Sequence, residues 1–176
     1  MISKLFLKMF HPIKVGGQIG NYKLITKIGR GTFGQILYVE NIHTNLYYAM
    51  KLEKMKTEKK KVLHFEESVY KKLDPSIYFP KFIKYGKTRY YHFLVMECFG
   101  PSIENLCSIK TNNHLSLSTS LRLSVEMLQC IHELHNNKFI HRDIKPANFV
   151  IRKSKLHPIV LIDFGLSRQY INQDGK

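Results

Sequence analysis

Residues 139–150 read FIHRDIKPANFV, and residues 160–166 read VLIDFGL. The apolar and β-branched letters in both stretches predict short buried strands around 149–152 and 159–162. Five polar residues nevertheless crowd into eight positions before the first of them, namely His141, Arg142, Asp143, Lys145 and Asn148. Packing alone does not account for them, because each buried polar group needs a partner. The stretch is therefore a candidate active site.

The composition favours a folded domain with an anionic ligand. The 176 residues are 44% hydrophobic, which is enough to bury a core. Lys and Arg number 28 against 13 Asp and Glu, for a net charge of +15. Such a field attracts nucleotides, acidic or phosphorylated peptides, nucleic acid or a membrane surface. Glu40 is the first acidic residue, so the six basic residues before it are unopposed, which favours a phosphate ligand near the amino end.

Cysteine usage and hydropathy indicate the compartment. Cys98, Cys107 and Cys130 form no C-x-x-C pair, so neither a disulfide framework nor a zinc site is indicated. No apolar run reaches the roughly 18 residues of a membrane helix. We expect a reducing, cytoplasmic or nuclear location and no membrane span. The opening MISKLFLKMF is spaced like a short targeting or membrane-surface helix, but its brevity and the nearby Pro12 favour a non-catalytic extension over residues 1–20.

The pattern along the chain predicts an α+β fold. Strands are expected at 21–29, 34–41, 46–53, 81–87 and 91–97, with one helix ending before Asp74-Pro75. A long amphipathic helix over 117–136 follows, with Leu121, Val125, Leu128, Ile131 or His132, and Leu134 on one stripe. This is a two-lobed plan, divided into 21–98 and 99–176, with a ligand cleft between the lobes. The basic residues at 54–61 and at Arg152, Lys153 and Lys155 are expected to be solvated.

The glycines of GRGTFGQI, residues 29–36, have the spacing G-x-G-x-x-G. Glycines in a tight turn let backbone N–H groups approach phosphate oxygens without a Cβ in the way. The same letters also fit an ordinary glycine-rich hairpin. A dinucleotide fold is disfavoured, because it requires a helix after the glycines and a second strand follows here.

The stretch YYAMKLE places Lys51 in an apolar strand, where an unpaired ammonium would be costly to bury. Glu66 is the candidate partner, on the helix that follows, while Glu67 should point to a different face. An exposed strand lysine and a surface glutamate are the alternative interpretation, and these residues alone do not separate the two.

The loop and the LIDFGL stretch decide between them. His141-Arg142-Asp143, Lys145 and Asn148, followed by Asp163-Phe164-Gly165, resemble the catalytic loop and metal motif of the protein kinases, and the glycines and Lys51 precede them in the kinase order. The resemblance implies a kinase-like fold that binds ATP and Mg²⁺. It implies that Lys51 holds the α and β phosphates while Glu66 fixes it, that Asp163 and Asn148 bind Mg²⁺, and that Asp143 accepts the proton of the substrate hydroxyl. Lys145 would contact the transferred phosphate, which implies Ser or Thr as the acceptor.

Longer stretches resemble the casein kinase 1 family, including the tau-tubulin kinases and their nematode-type relatives. They are KIGRGTFGQI, MKLE, EESVYKKL, LVMECFGPSIENL, FIHRDIKPANFV and LIDFGLSRQY, and together they cover residues 22–170 almost without gaps. The SRQYINQDG stretch favours the tau-tubulin branch, whereas GPS favours the other. The family places nucleotide contacts at Ile28, Gly29, Gly31, Gly34, Ile36, Ala49, Lys51, Met96, Glu97, Phe99, Ser102 and Asn105. Asn105 stands where the family commonly has Asp, and its amide can still hydrogen-bond a ribose hydroxyl.

By the same resemblance, Lys176 falls within the activation segment, 11 residues after Gly165. We therefore expect the amino-terminal part of a kinase domain, with the surface for acidic or phospho-primed Ser/Thr substrates carried by later residues. The apolar stripe of the 117–136 helix would then be bare and prone to association. A nucleotide-binding but inactive scaffold is the main alternative, and a small-molecule kinase is a further one. Nucleic-acid binding is disfavoured, because neither a stacking platform nor a recognition helix is evident.

Overall fold

The fold is described from a computed structural model, which describes residues 15–31, 34–55, 62–109, 115–153 and 156–170. The MISKLFLKMF segment, most of the predicted 1–20 extension, most of the basic run at 54–61, Lys155 and residues 171–176 lie outside these ranges. Of the described helices, none is both long and apolar enough to cross a membrane.

An antiparallel sheet forms the first half of the described chain. Its strands are β1 (Gln18–Ile19), β2 (Tyr22–Gly31), β3 (Gly34–Asn41), β4 (Tyr47–Lys54), β5 (Phe82–Lys87) and β6 (Tyr91–Met96), in the spatial order β1-β2-β3-β4-β6-β5. Strands β2 to β6 are the five expected from the β-branched and aromatic stretches of the sequence. The additional β1 is a two-residue strand that pairs with the start of β2, and it is too short to produce a periodic pattern.

Three helices are described. Helix α1 (Val62–Leu73) lies against the sheet and buries Leu63, Glu66, Val69, Tyr70 and Leu73. The short α2 (Ile103–Ile109) was not predicted, because seven residues carry too little periodicity. The 20-residue α3 (Leu117–Asn136) begins at Ser116, whose hydroxyl accepts a hydrogen bond from the N–H of Thr119 at 3.2 Å.

The apolar stripe predicted on α3 does not pack as one surface. Leu134 is fully buried, whereas Leu121, Val125 and Leu128 are 56–63% exposed. The packed face combines Ile131 and Leu134 of that stripe with Cys130 and the partly buried Leu123 and Met127, which the stripe did not include. Apolar residues occur around most of this helix, so periodicity alone could not select the buried side.

Two small strand pairs hold the polar loops in place. Strand β7 (Phe139–Ile140) pairs with β10 (Arg168–Gln169), and β8 (Phe149–Ile151) pairs with β9 (Ile159–Leu161). The residues of β9 are fully buried, as are Phe149 and Phe164. Ile159, Leu161 and the two phenylalanines join residues of α1, α3 and the sheet in one hydrophobic core. The loop 141–148 therefore leaves one short strand and enters another.

Candidate active site

Lys51 is buried and contacts two carboxylates. It lies on β4, and its Nζ is 2.7 Å from Glu66 Oε2 on α1 and 2.6 Å from Asp163 Oδ1. Burial alone would lower the pKa of Lys51, but the charges of Glu66 and Asp163 outweigh it and leave that pKa raised. Lys51 is therefore cationic at neutral pH, and it joins the sheet and α1 to the loop after β9.

The neighbouring Glu67 points away from this contact, as its position on the helix predicted. Its carboxylate is 2.9 Å from His64 Nδ1 and 2.8 Å from Lys71 Nζ, both on α1. The hydrogen bonds from Lys71 and His64 outweigh partial burial and lower the pKa of Glu67. Glu66 is thus the α1 carboxylate that pairs with Lys51.

The loop after β7 gathers Asp143, Lys145 and Asn148 around one carboxylate. Lys145 Nζ donates to Asp143 Oδ2 at 2.7 Å, and Asn148 Nδ2 donates to the same oxygen at 3.1 Å and to the Asp143 backbone oxygen at 2.8 Å. The hydrogen bond from Lys145 is the main reason that the pKa of Asp143 is lowered. Asp143 is therefore ionised at neutral pH and able to accept a hydrogen bond or a proton.

Two backbone features hold this loop against the Asp163 segment. Arg142 has a left-handed backbone, with φ of 65°, and its Nε donates to the Leu166 backbone oxygen at 2.7 Å. The Ile162 N–H donates to the Asn148 backbone oxygen at 2.9 Å. Asn148 and Asp163 consequently lie on adjoining segments, although no direct contact between their side chains is described.

The orientation of Asp163 depends on the burial of Phe164. Asp163 has φ of 68° and ψ of 71°, a conformation that is uncommon for a residue other than glycine. The ring of Phe164 is fully buried and makes edge contacts with Tyr70, Phe79 and His141 at centroid distances of 5.1–5.4 Å. Because Phe164 is anchored in this way, the preceding side chain turns toward Lys51.

The glycine hairpin joins β2 to β3, with Gly29 opposite Ile36 and Gly31 opposite Gly34. Gly34 is required by close approach, because a Cβ there would lie 1.7 Å from the Leu52 backbone oxygen on β4. A Cβ on Gly29 would meet Ile36 at an ordinary 3.7 Å. The hairpin therefore depends on Gly34 more than on Gly29.

The other predicted nucleotide contacts lie in three places. Ala49 and Met96 face each other across β4 and β6 and are nearly buried, while Ile28 is half exposed. The connection after β6 contains Glu97 and Phe99. At the start of α2, the Ser102 hydroxyl hydrogen-bonds the Asn105 side chain and also accepts from the Asn105 N–H at 3.1 Å.

The structure thus brings the predicted residues together in sets. Lys51, Glu66 and Asp163 are in direct contact, as are Asp143, Lys145 and Asn148. Sequence reasoning missed the contribution of Phe79, which no local motif marks. It also placed Arg152 in solvent, whereas Arg152 contacts the connection after β6, and only its position next to β8 could have suggested this.

The oxygen atoms in the two sets fit a hard divalent cation. The hydrogen bonds of Asn148 Nδ2 fix the amide and leave Oδ1 as its acceptor atom. Asp163 uses Oδ1 for Lys51 and has a second carboxylate oxygen. Groups of three or more His, Cys, Asp or Glu suited to a metal do not occur among the described residues, so these two oxygens supply only part of a coordination shell.

Residues 22–175 match the protein kinase domain family, and this chain belongs to it. Membership implies the use of ATP and a divalent cation. The chain is also similar to a protein of Dictyostelium discoideum named "Probable serine/threonine-protein kinase", with 38% identity over 159 residues. The alignment covers 89% of this chain and 32% of that relative, so the chain spans about a third of the length of the curated relative it matches.

Proposed function

We propose that this chain carries the nucleotide-binding and catalytic-loop half of an ATP-dependent serine/threonine protein kinase of the casein kinase 1 type. The observation that carries the proposal is the buried Lys51, joined to Glu66 and Asp163, next to the Asp143, Lys145 and Asn148 group. The casein kinase 1 assignment rests on the similarity of the longer stretches, above all GPSIENL and HRDIKPANF. Residues 21–98 and 99–176 would be the two lobes.

Each group in the site has a task that follows from its charge and position. Lys51 would hold phosphate oxygens of ATP, because it is cationic at neutral pH and its position is set by Glu66. The glycine hairpin would cover the phosphates with backbone N–H groups. Asn148 and Asp163 would hold Mg²⁺, which supplies charge neutralisation on the phosphates when bound. The segment from Glu97 to Phe99 would pair with adenine, with Met96 behind it and Ser102 and Asn105 near the ribose.

Asp143 would orient the Ser or Thr hydroxyl of the protein substrate and accept its proton. The lowered pKa of Asp143 keeps the carboxylate ionised, and Oδ1 remains for the substrate because Oδ2 is held by Lys145 and Asn148. Lys145, which is largely exposed beside it, would contact the transferred phosphate. Acidic or phospho-primed proteins are the proposed substrates, and the cytoplasm or nucleus is the proposed location.

The test separates binding from transfer. Calorimetric titration with Mg²⁺-ATP should give saturable binding, and phosphate transfer to casein should be lost by about 10²-fold or more in Asp143→Asn, as positioned general bases are commonly worth. The variant should bind Mg²⁺-ATP with unchanged affinity. Transfer by Asp143→Asn at the unmodified rate would refute the assignment of the base. Binding without transfer in the unmodified protein, including the full-length gene product, would instead identify a nucleotide-binding scaffold.

A further inference from the structure

Arg152 follows β8 directly and contacts three residues that lie earlier in the chain, Ile77, Glu97 and Phe99. Its Nη1 donates to the Ile77 backbone oxygen at 2.5 Å, and its Nη2 is 3.3 Å from Glu97 Oε2. Its guanidinium carbon lies 5.2 Å from the centroid of the Phe99 ring. The side chain is 21% exposed, so these contacts are partly shielded from water.

Two of these contacts lie on either side of Cys98, in the connection between β6 and Gly100. The far end of this connection is fixed by backbone, because the Gly100 N–H donates to the Ile151 backbone oxygen at 2.9 Å. Its near end is fixed by the Glu97 N–H, which donates to the Lys81 backbone oxygen at 3.0 Å. Between these two backbone hydrogen bonds, the side chain of Arg152 contacts Glu97 and Phe99.

We propose that Arg152 is a positioning residue for the adenine-binding edge of the nucleotide site. The inference rests on the proposed function, in which the backbone of Glu97 to Phe99 pairs with adenine. The ion pair with Glu97 and the cation–π contact with Phe99 hold the two residues from the β8 side. The backbone groups between them are thereby held ready for a planar ligand, and the ordering that binding would otherwise require is reduced.

The chemistry calls for arginine at this position. The guanidinium lies over the Phe99 ring while two of its nitrogens donate to Glu97 and to the Ile77 oxygen. A lysine ammonium is a single point charge, so it could keep the ion pair but could not make all three contacts at once. The proposal therefore depends on the shape of the cation as well as its charge.

The test compares a ligand with adenine to one without it. The intact protein and the Arg152→Gln, Arg152→Lys and Lys153→Gln variants are titrated by calorimetry with Mg²⁺-ATP and with magnesium tripolyphosphate. Lys153→Gln is the matched control, because Lys153 is the next residue, is exposed and loses the same charge. We expect Arg152→Gln to weaken Mg²⁺-ATP binding about 5-fold, the size expected from one partly exposed ion pair and one cation–π contact.

The tripolyphosphate affinity should be the same in Arg152→Gln and Lys153→Gln, because a positioning role at the adenine edge leaves the phosphate side unchanged. The proposal would be overturned if Arg152→Gln bound both ligands more weakly by the same factor. It would also be overturned if Arg152→Gln and Lys153→Gln had the same affinity for Mg²⁺-ATP. The Mg²⁺-ATP affinity of Arg152→Lys should lie between those of the unmodified protein and Arg152→Gln, and an unchanged affinity of the lysine variant would contradict the need for a guanidinium. If Arg152→Gln does not fold in a thermal scan, the Arg152→Lys comparison decides the matter. An unmodified protein that binds no Mg²⁺-ATP would instead overturn the proposed function itself.

Discussion

Replacing Lys51 by Met tests the central contact of the site. Methionine fills a similar volume but leaves Glu66, whose side chain is fully buried, without its cation. Breaking one partner of a buried ion pair costs about 3–5 kcal/mol. We expect the lower end, about 3 kcal/mol, because Asp163 is 19% exposed and can regain water. For a chain of this length, that loss lowers Tm by roughly 6–12 °C.

The loss of stability in Lys51→Met should depend on pH, and the protonation of Glu66 determines whether it grows or shrinks as pH rises. Burial raises the pKa of Glu66 above its ordinary value of 4.5, the charge of Asp163 raises it further, and Lys51 opposes both. Without Lys51 this pKa must rise further, so the folded variant binds a proton more tightly than the unfolded chain. The stabilisation from that proton is fully present below the unfolded value and is lost as pH rises through the folded value. The difference in the free energy of unfolding between the unmodified protein and Lys51→Met should thus be small near about pH 5 and largest near about pH 8.

Urea unfolding followed by circular dichroism at about pH 5, 6.5 and 8 measures this deficit. The Lys51→Met, Glu66→Gln double variant supplies the control, because it removes the charge that the single variant leaves buried. The double variant should lose less unfolding free energy than the sum of the losses in Lys51→Met and Glu66→Gln, as expected for residues in contact. Additive losses, or a Lys51→Met deficit that is constant across this pH range, would refute the account of Lys51 as the partner of a buried Glu66.

Two further predictions concern the surrounding structure. Phe164→Ala should lower the free energy of unfolding by about 3–5 kcal/mol, because it empties a site enclosed by three rings, and equal stability in chemical denaturation would contradict this packing. Gly34→Ala should lower the stability of the protein, because its Cβ would collide with the Leu52 backbone oxygen, whereas the matched Gly29→Ala should leave the stability nearly unchanged because its Cβ meets only an ordinary contact. Equal effects of the two alanine substitutions on Tm would show that the hairpin is not in close contact with β4 at Gly34.

The sequence predicts those parts of the fold in which local pattern and tertiary packing agree. The strands between residues 21 and 97 are rich in β-branched and aromatic residues, and the helix containing Glu66 ends where Asp74-Pro75 stops it. The motifs are recognisable because their residue types and their order along the chain match those of the protein kinase domain family. Strand β1 and helix α2 were not predicted, since two and seven residues carry almost no periodic signal.

The side of α3 that packs could not be chosen from periodicity. A helical stripe fits Leu121, Val125 and Leu128 as well as it fits Leu123 and Met127. Of these residues, Leu123 and Met127 lie against the core, whereas the other three are exposed. What selects the packed side is the position of β9, which lies far along the chain. A pattern within one helix contains no information about that neighbour.

Arg152 shows that a local sequence pattern also cannot predict whether a charged side chain is solvated. Within RKSKLHP it has the composition of a solvated basic turn, and its neighbour Lys153 is indeed exposed. Its three contacts are to residues 53 to 75 positions earlier, which meet it only because the chain after β6 pairs with β8. The guanidinium then has a carboxylate, a ring and a carbonyl within reach, and a free arginine would give up rotamer freedom worth about 2 kcal/mol to hold all three. A cation ordered at that cost next to the predicted adenine edge is better explained by a positioning role than by solvation.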